Sequence, residues 1–156
     1  MIIGRPGQYI PKKRAMVHVA GYSCFNDASI RDWQNHNPSP TPGKNFFHCG
    51  SFGPHLVTAD EVGDPTQLTL TTTLNGVEVQ HVTTDLMIND IPTVIAYISA
   101  WTPLHTGDVI ATGTPAGVGM GRKPPLWMKP GDAVEVTITR VGTLHNSVED
   151  DAGTYA

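Results

Sequence analysis

Three short segments carry the side chains that could do chemistry in this 156-residue chain. The first is Gly21-Tyr22-Ser23-Cys24-Phe25-Asn26-Asp27-Ala28-Ser29-Ile30-Arg31-Asp32-Trp33-Gln34, which reads as a strand ending at Asn26-Asp27 and then a helical turn. A carboxylate at a strand end has two readings. It can hold a hard, oxygen-loving cation such as magnesium, or it can cap the turn that runs through Arg31. The second is Thr41-Pro42-Gly43-Lys44-Asn45-Phe46, where a proline-framed loop either presents a fixed ammonium to a ligand or leaves it solvated. The third is Gly107-Asp108-Val109-Ile110-Ala111-Thr112-Gly113-Thr114-Pro115-Ala116-Gly117-Val118-Gly119-Met120-Gly121. Its glycines suit a tight turn. They equally suit an anion cradle of backbone N–H groups with the Thr114 hydroxyl. A nucleotide loop is excluded, because no Gly-Lys-Ser/Thr or Gly-x-Gly-x-x-Gly is present and Arg122-Lys123-Pro124-Pro125 stands where a helix should begin.

The elements that must position these segments are short and mostly extended. Sixteen glycines and 13 prolines break the chain often, which favours a β-rich fold over a helical bundle. Pro11 opens a short helix through Val17, and Val19 to Phe25 is a strand. Asn35 to Lys44, with three prolines and a glycine, reads as loop. Leu68 to Leu74 and Val77 to Val82 flank Asn75-Gly76, a strong hairpin signal. Asn89 or Asp90 caps a helix from Ile91 to about Trp101, with Val94, Ile95, Ile98 and Trp101 on its apolar face. Asp108 to Thr112 is expected to be a short buried strand. Val134 to Val141 and Gly142 to Val148 are two more strands, and the acidic tail from Glu149 frays.

Composition narrows the partners. With 39% hydrophobic residues the chain is globular, and with 15% charged residues and net charge −4 it has no basic stripe for nucleic acid. No apolar run approaches the roughly 18 residues of a membrane span, and the start lacks the order of a signal peptide. The expectation is a cytoplasmic protein, with Cys24 and Cys49 as reduced thiols. The histidines, including His36 and His48, form no zinc-type spacing.

In this order the segments resemble the fumarylacetoacetate hydrolase family. The resemblance rests on Val19 to Tyr22, Asn26 to Gln34, Gly43-Lys44, Gly53 to Thr58, Ile91 to Tyr97 and Gly107 to Gly119, with Lys129-Pro130-Gly131-Asp132 and the segments after it. It implies a mostly β (α+β) fold, a fumarylacetoacetate hydrolase-like mixed β-roll with short helices. It implies one catalytic domain over residues 1–156, commonly paired as a homodimer. It also implies Mg2+ or Mn2+ held by three carboxylates. Asp27 matches one of these metal ligands, and Lys44 matches the lysine that holds substrate oxygens. Gln34 matches a substrate contact, Thr114 with Gly113 the loop that receives a substrate carboxylate, and Arg31 a member of the same motif. The implied substrate is a small 2-oxo acid, in which C–C cleavage leaves an enolate stabilised by the metal and by Lys44.

One part of the family pattern has no counterpart. The other two carboxylates come from a Glu-x-Glu shortly before a segment like Val-Ile-Ile-Gly, whereas this chain opens with Met1-Ile2-Ile3-Gly4. Glu61, Glu78, Glu135 and Glu149 form no Glu-x-Glu, and the family's upstream lid and general-base histidine are also absent. The expectation is a chain lacking its first strands. Acylpyruvate-type hydrolysis, oxaloacetate-type decarboxylation, muconate-type isomerisation or hydration, and an inactive binding or dimerisation module all remain open readings. A nucleotide-binding module is more remote.

Overall fold

A computed structural model describes residues 1–151. It is mostly β, with short helices between strands. β1 (Ile2–Ile3), β2 (Val19–Asn26) and β3 (Ser51–Thr58) form one sheet in that order. The second sheet joins β4 (Thr69–Leu74), β5 (Val77–Thr83), β6 (Ala133–Ile138) and β7 (Gly142–Ser147) in the order β5-β4-β6-β7. Every strand pairing in both sheets is antiparallel.

The sheets meet where β2 and β3 pack on β7. Tyr22, Cys24 and Val57 from the first sheet and Val136 and Leu144 from the second share one core with Ile3, Val62 and Ile95. β2 is buried along Gly21, Tyr22, Ser23 and Cys24 because it is covered on both faces, which is why its sequence does not alternate. Among the described residues three α-helices complete the layers: α1 (Arg31–Gln34), α2 (Ala59–Val62) and α3 (Ile91–Ser99).

Several expectations sharpen on contact with the fold. The hairpin turns at Asn75 and Gly76 with φ of 52° and 76°, and the Asn75 side chain ties the turn to Asp132 and to the Ala133 amide. Asp90, not Asn89, caps α3, its Oδ1 accepting from the Thr93 amide at 2.8 Å. Residues after Pro11 form a 3-10 helix, Lys12–His18, with Pro11 itself as the cap. Within the proline-rich loop Thr41–Lys44 is likewise a 3-10 turn, since proline is compatible with a first helical position.

Others are corrected. Asp108 to Thr112 is not a buried strand: it makes one isolated bridge, Val109 to Ile2, and Val109 is exposed. The strand it faces is two residues long, so no ladder can extend. α3 ends at Ser99, and Trp101 points outward at 67% exposure while Ile91, Ile95 and Ser99 form the buried face. β6 stops at Ile138 because the chain turns through Arg140, at φ 62°. Glu149 to Asp151 carry no regular structure, and the rest of the acidic tail lies outside the described residues. Cys24 and Cys49 are both free, the first buried and the second partly so. Among the described residues no helix is long and apolar enough to cross a membrane.

Candidate functional site

Asp27 leaves the end of β2, and the strand end is pinned from the second sheet. Asn26 Nδ2 donates to Asn146 Oδ1 at 3.0 Å, and Ser51 Oγ donates to the same oxygen at 2.7 Å. Three strands therefore converge where Asp27 emerges. Its carboxylate does not cap the next turn, because α1 begins at Ile30 with no side-chain cap. It meets Lys44 instead: Nζ lies 2.6 Å from Oδ2 and 3.4 Å from the Asp27 carbonyl oxygen. The ammonium side is the more shielded, with Lys44 26% and Asp27 49% exposed.

Lys44 reaches Asp27 because its loop lies flat against α1. Gly43 accepts from the Ile30 amide at 2.9 Å, and a Cβ on Gly43 would sit 2.6 Å from the Gln34 backbone nitrogen. Only glycine permits that approach. Trp33 of α1 meets Phe46 edge-on at 5.3 Å, which ties the segment beyond Lys44 to the same turn. Gln34 does not face outward alone, since Arg31 Nη1 donates to its Oε1. Arg31 thus acts within the turn. Cys49 feels this cluster: burial raises its thiol pKa, the Lys44 charge opposes the rise and the Asp27 charge adds to it. His36 and His48 pack against Trp33 and Phe47 respectively.

The glycine loop is held by different means. Gly113 has φ of 109° with open space where a Cβ would be, so its glycine serves conformation. Gly117 serves close approach, for a Cβ there would lie 2.2 Å from the Val79 carbonyl oxygen. Gln80 Nε2 donates to Thr114 Oγ1 and to the Pro115 carbonyl oxygen, both at 3.0 Å. Arg122 Nε donates to Gly117 O at 3.0 Å, and its Nη2 donates to Val79 O. β5 and Arg122 thus fasten the loop and leave Thr114 exposed. Asp108 belongs to the turn before it, accepting from the His105 amide at 2.7 Å.

The structure therefore brings Asp27, Lys44, Arg31 and Gln34 into one cluster and sets Gly113 and Thr114 on a second. No hydrogen bond or ion pair among the described residues joins the two. Gln80 and Arg122 escaped the sequence reading. Gln80 is one polar residue in a strand of alternating exposure, and Arg122 seemed only to interrupt a would-be helix. Their roles depend on non-local contacts, 34 and 43 residues away along the chain.

As a metal centre the cluster is incomplete. Among the described residues no three of His, Cys, Asp and Glu are grouped to hold an ion. The single candidate carboxylate is already neutralised by Lys44. A lone carboxylate is a poor site for magnesium, which sheds its water reluctantly. The described residues do not by themselves fit such an ion.

The scaffold is two antiparallel sheets carrying a strand-end carboxylate paired with a loop lysine and, separately, a fastened glycine loop. The chain belongs to the fumarylacetoacetate hydrolase family: the model described as Fumarylacetoacetate (FAA) hydrolase C-terminal matches residues 1–149. It is 40% identical to the mitochondrial oxaloacetate tautomerase Fahd2a of Rattus norvegicus over 149 residues, covering 95% of this chain and 48% of that protein. Among solved structures it is similar to the fumarylacetoacetate hydrolase from psychrophilic Exiguobacterium antarcticum, at 41% identity and TM-score 0.92, covering 96% of this chain and 54% of that one. It is also similar to fumarylpyruvate hydrolase from Pseudomonas aeruginosa, a structure in complex with Mn2+ and pyruvate. There the identity is 30% and the TM-score 0.86, covering 96% of this chain and 63% of that one. The chain spans about half the length of the curated relatives it matches.

Proposed function

We propose that this chain supplies the substrate-recognising part of an enzyme that cleaves a C–C bond in small 2-oxo acids of the acylpyruvate type. The observation that carries the reading is the Asp27–Lys44 pair at 2.6 Å in a chain that also presents Thr114 from a fastened glycine loop. The substrate carboxylate is received by the Thr114 hydroxyl and by backbone N–H groups from Gly113 onward. Lys44 is the group whose charge matches the reaction. When water adds to the 4-carbonyl and the C3–C4 bond breaks, the acyl half leaves as a carboxylic acid. The bonding pair passes through C3 onto the 2-oxo oxygen as an enolate, whose charge the Lys44 ammonium stabilises. Gln34 packs against Gly43, the residue before Lys44, and is proposed as a further contact for a substrate oxygen.

Divalent metal, Mg2+ or Mn2+, is part of this proposal as the partner of Asp27. The Mn2+ and pyruvate of the Pseudomonas aeruginosa relative support it. The described residues do not complete a site for the ion, so the steps above use only side chains this chain provides. A homodimer is proposed on the same family grounds.

A second reading is favoured by the 40% identity to an oxaloacetate tautomerase. Tautomerisation needs the same enolate and the same carboxylate anchor, but no water attacks. A stirred assay with acylpyruvates and with enol-oxaloacetate, followed by ultraviolet absorbance with and without Mg2+ or Mn2+, separates the two. Acylpyruvate cleavage that Lys44→Met removes is the expected result. Enol loss without cleavage selects the tautomerase reading, and either activity left intact in Lys44→Met contradicts the role given to Lys44.

A further inference from the structure

We propose that Gln80 is a positioning residue that sets the donor direction of the Thr114 hydroxyl, so that Thr114 presents its proton to an acceptor such as a carboxylate. The inference rests on the reading of Thr114 as the substrate anchor. A side-chain amide could in principle be turned either way, but here its orientation is determined by chemistry. The Pro115 carbonyl is an acceptor only and lies 3.0 Å from the amide nitrogen, so the NH2 group must face it. The same nitrogen's second hydrogen points at Thr114 Oγ1, also at 3.0 Å. Thr114 must therefore accept from Gln80, and its own proton is left to donate elsewhere.

The rest of the fastening keeps that geometry from relaxing. Val79, the neighbour of Gln80 on β5, touches Gly117 so closely that no side chain fits between. Arg122 closes the arrangement by bonding both Gly117 and Val79. Two adjacent residues of one strand thus hold the loop at Thr114–Pro115 and at Gly117, and Thr114 is left as an exposed, directed donor. A hydroxyl free to rotate would accept a donor ligand as readily as it served an acceptor. Held by Gln80, it keeps its proton directed outward to an acceptor oxygen.

The test compares Q80E with Q80L in the full chain. Glutamate keeps the shape of glutamine but has no N–H, so it is repelled by Pro115 O and draws the Thr114 proton toward itself. Leucine merely releases the hydroxyl. Pyruvate affinity, followed by NMR titration in the presence of Mg2+, is expected to fall about tenfold or more in Q80E and by less in Q80L. A merely structural role predicts losses of equal size in the two variants, since both lose the bond to Pro115 O, and equal losses would overturn the proposal. Amide hydrogen exchange across 113–117 without ligand gives an independent readout. Faster exchange in both variants is expected, and unchanged exchange would overturn the positioning role. Faster exchange in a wild-type background that binds no pyruvate would keep Gln80 as the loop's positioning residue but overturn Thr114 as a carboxylate anchor.

Discussion

The two halves of the candidate site are built on opposite principles. Asp27 and Lys44 hold each other in place through Oδ2 and the Asp27 carbonyl oxygen, so the pair fixes a charge before any ligand arrives. Thr114 is satisfied on its acceptor side and still has a proton to give, so a ligand adds to the arrangement without breaking it. The supports differ as well. The charged half stands on a strand end and two short turns pressed together at Gly43, whereas the neutral half is a loop laid against the edge strand β5 at Gly117. The charged pair stands where the scaffold is clamped from three strands, and Thr114, the proposed recognition group, stands on a loop that two side chains hold. An enzyme that must stabilise a developing anion needs the first, and one that must choose its substrate needs the second.

Substitutions at the two glycines break the halves separately. Gly117→Ala forces a Cβ to 2.2 Å from a backbone oxygen at φ of 106°, and the expected loss is about 2 to 4 kcal/mol of stability, or a detached loop. Gly43→Ala meets Gln34 at 2.6 Å without the positive φ, so about 1 to 3 kcal/mol is expected. Urea unfolding gives both values. Equal effects would mean that conformation at Gly117 adds nothing to close approach.

Removing the ammonium tests the charged half alone. Lys44→Met should lower turnover by about 100-fold, while stability changes by no more than about 1 kcal/mol because the pair is partly solvated. A large loss of stability with turnover intact would make the pair a structural brace.

Tyr22 is a control on the strand that carries Asp27. Its hydroxyl is buried with no hydrogen-bond partner among the described residues, and burial first, then the Asp64 charge, raises its pKa. Tyr22→Phe should therefore hold or raise the melting temperature, by up to about 1 to 3 kcal/mol in stability, without altering activity. Destabilisation would reveal an acceptor for that hydroxyl.

The smallest effect lies outside both halves. Hydrogen bonds from Thr93, then Lys12, hold the Asp90 carboxyl at about 2, below its ordinary 3.8. A depressed carboxyl contributes stability that is present above its ordinary value and lost as pH falls through about 2. Asp90→Asn should flatten that part of the acid limb in pH-dependent urea unfolding and leave the neutral region nearly unchanged. An unaltered acid limb would mean the cap does not couple to folding.

The strand, hairpin and cap signals were legible because they are local. Asn75-Gly76 carries its own turn and Asp90 its own cap. Asp27 and Lys44 were legible as candidates through family resemblance, yet the sequence left open whether Asp27 capped a turn, and the contact with Lys44 across 17 residues decided it. Gly117 was visible as a glycine but not as a close contact with Val79. Gln80 was not visible at all, since nothing in β5 announces a partner in a loop 34 residues on. Asp108 to Thr112 misled because five residues with strand propensity still need a neighbour to pair with, and only one bridge forms.

The central claim is that Asp27–Lys44 and Thr114 serve one substrate, although no bond joins them in the folded chain. The direct measurement is a pyruvate titration of isotopically labelled chain with Mg2+ present, following the amides of Lys44, Gly113 and Thr114 together. The account predicts that all three shift with one common dissociation constant. Shifts confined to one half, or none at all, would contradict it.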